Sequence, residues 1–233
     1  MKIDNNLKHA INNVIQNIRD AAVKSGRKPE DVLLLGVTKT VDVETMQKIY
    51  DLGVTHFGEN RVQEYLKKSD IIRRECHWHI IGRLQTNKVR YLDQRITLIH
   101  SLDRIELAEA IQKRGQKINH IFPVLVQVNV SGEDTKAGIY PDDVMNFLTN
   151  VSKMGNIKVK GLMTMAPYTE DPEEVRYIFK KIKKLAVDIE REKVENISME
   201  ELSMGMSGDY KIAIEEGSTI VRVGSALFGE RVY

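Results

Sequence analysis

"VLLLGVTKTVDVETMQKIYDLGVTHFGEN", residues 32–60, decides the architecture. It opens on an unbroken apolar run from Val32 to Val37, the pattern of a strand buried on both faces. Apolar residues then recur at Val43, Met46, Ile49 and Tyr50, a helical spacing that stops at Gly53, and "HFGE" resumes a strand at residue 56. Strand, helix and strand in that order form the repeating unit of a parallel sheet.

The unit recurs along the chain. Further strands are predicted at "HWHIIG" from 77, "ITLIHSL" from 96, "FPVLVQVNV" from 122, "VKGLMTM" from 159, "ELSMGMS" from 201 and "TIVRVG" from 219. Between them, Asp103 is placed to cap "RIELAEAIQKR", expected to end at Gly115, and Pro141 and Pro172 precede acidic residues as first-turn prolines do. "EEVRYIFKKIKKLAVDIEREKV" is the longest predicted helix, and its lysine runs read as a solvated face. Eight strands alternating with helices predict an α/β fold, a single (β/α)8 TIM barrel with residues 1–233 as one domain. Only nine residues follow Gly224, too few for a full eighth helix. The amphipathic stretch 5–25 is therefore expected to fill the gap between strands eight and one.

Composition restricts the function classes. Lys and Arg number 35 against 33 Asp and Glu, a net charge of +2 that gives no push toward nucleic acid or membrane. The single cysteine, Cys76, excludes an internal disulfide framework, and no signal-like segment opens the chain, so a reducing, cytoplasmic setting is expected.

The chemistry is expected at the C-terminal ends of the strands. Lys39 stands there, directly after the first apolar strand, where a buried ammonium must be paired, deprotonated or covalently engaged unless the strand has ended and the side chain points into water. After strand seven, "SMGMSGD" delivers Ser207 and Gly208, and after strand eight "RVGSALFG" delivers Gly224 and Ser225. Each is also ordinary turn chemistry, but both fall where barrels commonly hold a phosphate. Arg222 shares a strand face with Ile220 and Gly224, so its guanidinium points inward and needs a polar partner. A lysine on strand one, an arginine on the neighbouring strand eight and a phosphate cradle together fit pyridoxal 5'-phosphate (PLP). Its aldehyde forms a Schiff base with lysine, its ring nitrogen accepts a hydrogen bond from arginine, and its phosphate sits on the loops.

The motifs "VTKT", "HFGENRVQE", "HWHIIGRLQTNK", "VLVQVNVSGEDTKAG", "GLMTM", "LSMGMSGDYKIAI" and "VRVGSALFG" occur in that order over nearly the whole chain. In these the sequence resembles the pyridoxal phosphate homeostasis family, also called the YggS or proline synthase co-transcribed family. The resemblance implies the PLP fold type III barrel of alanine racemase. It also implies Lys39 as the Schiff-base lysine, Arg222 as the ring-nitrogen partner, and Ser207, Gly224 and Ser225 around the phosphate. Ser225 stands where threonine is usual, keeping the hydroxyl, and Arg61 stands where tyrosine is frequent.

Other candidates carry two readings each. Asn60, ending strand two, reaches the ligand or serves the turn. His77 and His79 share a strand face near Cys76, but no further ligand supports a metal, and His79 is expected to hydrogen-bond beneath or beside the cofactor. Gln85, Asn87 and Lys88 are expected to structure a loop. Met163 and Met165 read most simply as core, with Met163 kept among the candidate cofactor contacts. Lys136 in "EDTKAG" is a solvated rim charge or a second amine that accepts PLP, with Gly132 and Gly138 letting its loop move.

Racemisation requires an acid or base on each face of the substrate carbon. Alanine racemase takes one from a second, β-rich domain, for which this chain has no residues left. An arginine at the ring nitrogen also disfavours the protonated pyridinium that makes PLP a strong electron sink. Both points, and the resemblance, lead to the expectation of a monomeric PLP carrier or regulator of vitamin B6 supply and amino and keto acid balance. It would have no established catalysis and PLP-dependent apoenzymes as candidate recipients. The alternative is a single-domain PLP-dependent amino-acid racemase of low efficiency.

Overall fold

A computed structural model describes residues 2–72, 75–133 and 136–229. Eight parallel strands close into a barrel in sequence order: β1 (Leu33–Val37), β2 (His56–Glu59), β3 (His77–Ile80), β4 (Ile96–Leu102), β5 (Phe122–Gln127), β6 (Ile157–Met163), β7 (Ile197–Ser203) and β8 (Ile220–Val223). The helices are α1 (Lys2–Lys24), α2 (Val43–Asp51), α3 (Val62–Ser69), α4 (Ile105–Ile118), α5 (Val144–Val151), α6 (Arg176–Arg191), α7 (Tyr210–Glu215) and α8 (Ser225–Phe228). This is the TIM-barrel α/β fold that the alternation predicts. None of the helices among the described residues is long and apolar enough to cross a membrane.

Closure sets β1 beside β8, with Leu35 opposite Arg222 and Gly36 opposite Val223. Alternation along each strand then sorts residues into two shells. Leu35, Leu98, Leu125, Met163 and Ile220 pack together inside the barrel. Phe57, Trp78, Ile80, Ile99, Val124 and Val126 join the larger core between sheet and helices. The α1 helix closes the outer layer where the terminal helix is a single turn. Leu7, Ile11, Val14, Ile18 and Ala21 recur every three or four residues and are buried, and α1 packs on α7, α8 and α2.

Three details depart from expectation. Between β3 and β4 there is only a 3-10 segment, Thr86–Tyr91, because the stretch supplies too few apolar positions for a packed helical stripe. The α4 helix runs past Gly115 to Ile118 and ends on Asn119, which takes the left-handed conformation at φ 51°. Gly115 is buried inside α4 and must be glycine, since a Cβ there would lie 2.6 Å from the His120 carbonyl oxygen. Asp103 does not cap α4 but pairs with Arg104, and Arg104 stands at the cap position.

The α1 seal should be energetically substantial. Ile11 is 1 % exposed, and Ile11→Ala is expected to cost about 3 kcal/mol in equilibrium urea unfolding. A loss below about 1 kcal/mol would show that α1 does not seal the barrel wall.

Candidate functional site

The C-terminal mouth of the barrel holds a cavity of about 750 Å³. Lys39, Asn60, Ser207, Gly208, Arg222, Gly224 and Ser225 all line it. Its wall also includes Val37, Ile81, Arg83, Gln127, Met165 and Asp209.

Lys39 reaches the mouth through a tight turn. Thr40 has φ 64°, a conformation that costs a β-branched residue strain and that the surroundings must hold. They do so from behind the sheet. The Thr38 amide donates to the Gly58 carbonyl at 3.0 Å and the Val41 amide closes the turn on the Thr38 carbonyl at 2.9 Å. Lys68 Nζ on α3 donates to the same Thr38 carbonyl at 2.7 Å and to Glu59 Oε1 at 2.8 Å, and Thr38 Oγ1 donates to Glu59 Oε1 at 2.6 Å. Glu59 is fully buried and its Oε2 has no hydrogen-bond partner. This pair fixes the backbone on either side of Lys39 without entering the cavity. Sequence reasoning missed it, although an acidic residue inside the apolar second strand was a visible signal.

Asn60 is held where β2 and β3 end together. A Cβ on Gly82 would lie 2.4 Å from the Asn60 carbonyl oxygen, so only glycine allows that approach. Opposite, Ser207 Oγ accepts from the amides of Gly224 and Ala226, each at 3.2 Å. Two backbone N–H groups thus converge on one point beside Gly208, whose missing Cβ would meet nothing within 4 Å. Both amides are satisfied by Ser207 Oγ, which leaves the Ser207 hydroxyl its own proton to donate to an anion in the cavity it lines.

Arg222 is 4 % exposed. One terminal nitrogen donates to Ser203 Oγ at 2.7 Å and the other to the Thr164 carbonyl at 2.8 Å. Burial pushes the guanidinium down to about 10, against the attraction of Asp209. It remains a cation at neutral pH, with N–H groups left over for the cavity it lines.

Two candidates lie elsewhere. His79 and Met163 do not line the cavity: both point into the barrel one layer below it, and the residues two positions on, Ile81 and Met165, line it instead. The two-residue period of a strand accounts for the difference. His79 does hydrogen-bond as expected, to His56 at 3.0 Å and to His100 at 2.9 Å. Gln85 and Asn87 are exposed, and with Lys88 they lie on the 3-10 segment and its start, outside the cavity. Lys136 Nζ sits 2.8 Å from Glu133 Oε1 as an ion pair, and its neighbour Ala137, not Lys136, lines the cavity. Asp134 and Thr135 of that loop lie outside the described residues. Among the described residues no cluster of three or more His, Cys, Asp or Glu is placed to hold a metal ion.

Comparison with known proteins places the family and the fold. Residues 10–232 match the family model for the alanine racemase N-terminal domain. The chain is 47 % identical over 224 residues to the pyridoxal phosphate homeostasis protein of Aquifex aeolicus, covering 96 % of this chain and 97 % of that one. It is 34 % identical to the protein of the same description from Escherichia coli, over 98 % of both. Among solved structures, PipY of Synechococcus elongatus with PLP bound superposes with a TM-score of 0.80 at 32 % identity, covering 91 % of this chain and 99 % of PipY. An alanine racemase of Clostridium difficile shares the fold at a TM-score of 0.76 and 17 % identity, with 98 % of this chain matching 58 % of that one.

The Glu59–Lys68 pair makes a signed prediction. Burial raises the Glu59 carboxyl above its ordinary range, while the hydrogen bonds from Lys68 and Thr38 draw it back. A carboxyl raised on folding contributes stability below the ordinary carboxylate range and loses it as pH rises through the folded value. Lys68→Met removes the main opposing hydrogen bond and raises the folded value further. The variant is expected to lose about 3 kcal/mol at pH 8 and clearly less at pH 5, measured by urea unfolding against the parent chain. Equal losses at both pH values would mean that Glu59 does not carry the effect.

Proposed function

We propose, for a chain that belongs to the pyridoxal phosphate homeostasis protein family, that it binds PLP in the barrel-mouth cavity with Lys39 as the covalent anchor and serves PLP supply without efficient catalysis. The observation that carries this reading is the joint lining of one cavity by Lys39, Arg222 and the Ser207–Gly224–Ser225 cradle. The residues fit the group. PLP supplies an aldehyde for an amine, a ring nitrogen able to accept a hydrogen bond, and a phosphate dianion. Lys39 provides the amine from a turn whose backbone is pinned. The hydroxyls of Ser207 and Ser225 provide donors for an anion, with Ser207 held in place by the amides of Gly224 and Ala226. Arg222, a donor in every protonation state a protein reaches, faces the ring nitrogen and keeps a proton off it.

That last property supports holding over turnover. A ring nitrogen without its proton makes PLP a weaker electron sink, and a buried arginine opposes that proton. The relatives' description as homeostasis proteins, not enzymes, points the same way. The reading extends to a monomer that passes PLP to PLP-dependent apoenzymes.

The purified protein loaded with PLP is expected to show a visible absorption band, and borohydride reduction followed by peptide mapping should place the adduct on Lys39. Lys39→Ala should abolish the band. An adduct solely on another lysine would overturn the anchor assignment. Sustained racemisation, transamination or decarboxylation of an amino acid at about 1 per second or faster would overturn the non-catalytic reading.

A further inference from the structure

The interior of this barrel is not uniformly apolar. Beside the Leu35, Leu98, Leu125, Met163 and Ile220 cluster runs a continuous row of polar side chains. Arg222 donates to Ser203 Oγ at 2.7 Å, Ser203 Oγ meets His100 Nδ1 at 2.8 Å, His100 Nε2 meets His79 Nδ1 at 2.9 Å, and His79 Nε2 meets His56 Nδ1 at 3.0 Å. His56 stacks on His77 with ring centroids 4.2 Å apart, where β2 and β3 begin, at the end of the barrel opposite the cavity. Ser203 and His100 are fully buried and His79 is 1 % exposed.

The row has a single direction. Arginine only donates, so Ser203 Oγ must accept from it, and the hydroxyl proton is left for His100 Nδ1. A neutral His100 that accepts at Nδ1 carries its proton on Nε2 and donates to His79 Nδ1. His79 repeats the pattern toward His56. Burial holds both rings neutral, well below the ordinary imidazole range, with the neighbouring rings and the Arg222 charge adding to it. A reversed row would leave the Ser203 proton facing two donors in a place with no water-like freedom, which is costly for a buried hydroxyl.

We propose that Ser203, His100 and His79 are positioning residues for Arg222: a one-way hydrogen-bonded column, rooted at the far end of the barrel, that fixes which edge of the guanidinium is spent inside the protein and which faces the cofactor ring. The proposal rests on the assignment of Arg222 to the ring nitrogen. Without the column, the two bonds that hold the guanidinium's inner edge reduce to the one it donates to the Thr164 carbonyl, which fixes its position but no longer its rotation. The rings sit on β3 and β4, whose registers are fixed by pairing with β2 and with each other, so the column inherits the rigidity of the sheet. Loops at the mouth take no part in it.

The experiment has a readout in the parent protein and one in variants. Histidine nitrogen NMR with and without PLP should show His79 and His100 neutral and protonated on Nε2 at pH 7. A proton on Nδ1 of either ring overturns the proposal, and this measurement decides it where a variant does not fold. Ser203→Ala and His100→Leu are expected to keep Lys39 as the borohydride-trapped residue, to weaken PLP retention about tenfold and to shift the visible band. Ser203→Thr should restore both properties, and His100→Asn, which keeps an acceptor near the Nδ1 position, should restore them in part. Retention and band unchanged in both Ser203→Ala and His100→Leu overturn the column while leaving the Arg222 assignment standing. An unchanged band in Arg222→Glu with full PLP occupancy overturns the assignment, and the proposal with it.

Discussion

A guanidinium buried inside a parallel barrel is the constraint around which this molecule is arranged. Arg222 keeps its proton at neutral pH despite its burial, and an unpaired charge in that setting costs several kcal/mol even after relaxation. The cost is met by hydrogen bonds to neutral groups, a serine hydroxyl and a backbone carbonyl, and not by a buried carboxylate in contact. Asp209 acts on Arg222 only through its charge, while its own Oδ1 accepts from the Met206 amide at 2.5 Å in the loop after β7. Neutral partners leave the arginine's positive charge unspent, available to the electron-rich edge of whatever occupies the cavity. A carboxylate at that place would have cancelled it and reversed the preference for a protonated ring.

The neighbouring wall of the site, at the end of β1, is held from the other face of the sheet. Thr38 and Glu59 point outward toward α3, so the buried Lys68 reaches them without crossing the cavity. The result is that the two charged residues of the mouth are held from different sides of the sheet. Arg222 is held from within the barrel and Lys39 from outside it, by two polar networks that share no residue. Strain at Thr40 belongs to the same logic, since a left-handed threonine persists only where neighbouring bonds overdetermine it.

Much of the barrel and most of the cavity lining were legible in the chain, for a physical reason. Strand parity and strand ends are local properties, and Lys39, Arg222, Gly224 and Ser207 announce themselves as polar or small residues at the ends of apolar runs. His79 and Met163 show the limit of that logic: parity puts them inside the barrel, but their depth depends on the stagger between neighbouring strands. The shift in register between Trp78 and His79 against β4 is invisible in one sequence. The partners of Glu59 and the sequence of contacts from His56 to Arg222 were illegible for the same reason. They join residues from 9 to 103 positions apart, and only the closed sheet brings them together. Asp103 misled because a good capping residue was claimed instead by its arginine neighbours.

The distribution of exposure across the site bears on how such a protein can both keep and surrender a ligand. Arg222 is nearly sealed, whereas Lys39, Asn60, Ser207 and Gly224 are half-buried and Gly208 and Ser225 are exposed. Tyr168 on the cavity rim is 93 % exposed, with no side chain covering it. On the proposed reading, the group that orients the ring therefore lies deep, and the groups that would make the covalent and phosphate contacts lie where water and an incoming amine reach them. A turnover enzyme gains from excluding water around its reacting atoms. On the proposed reading, a holder that must release its cargo gains from the reverse, because a half-buried anchor stays open to exchange while the deep arginine keeps its orientation.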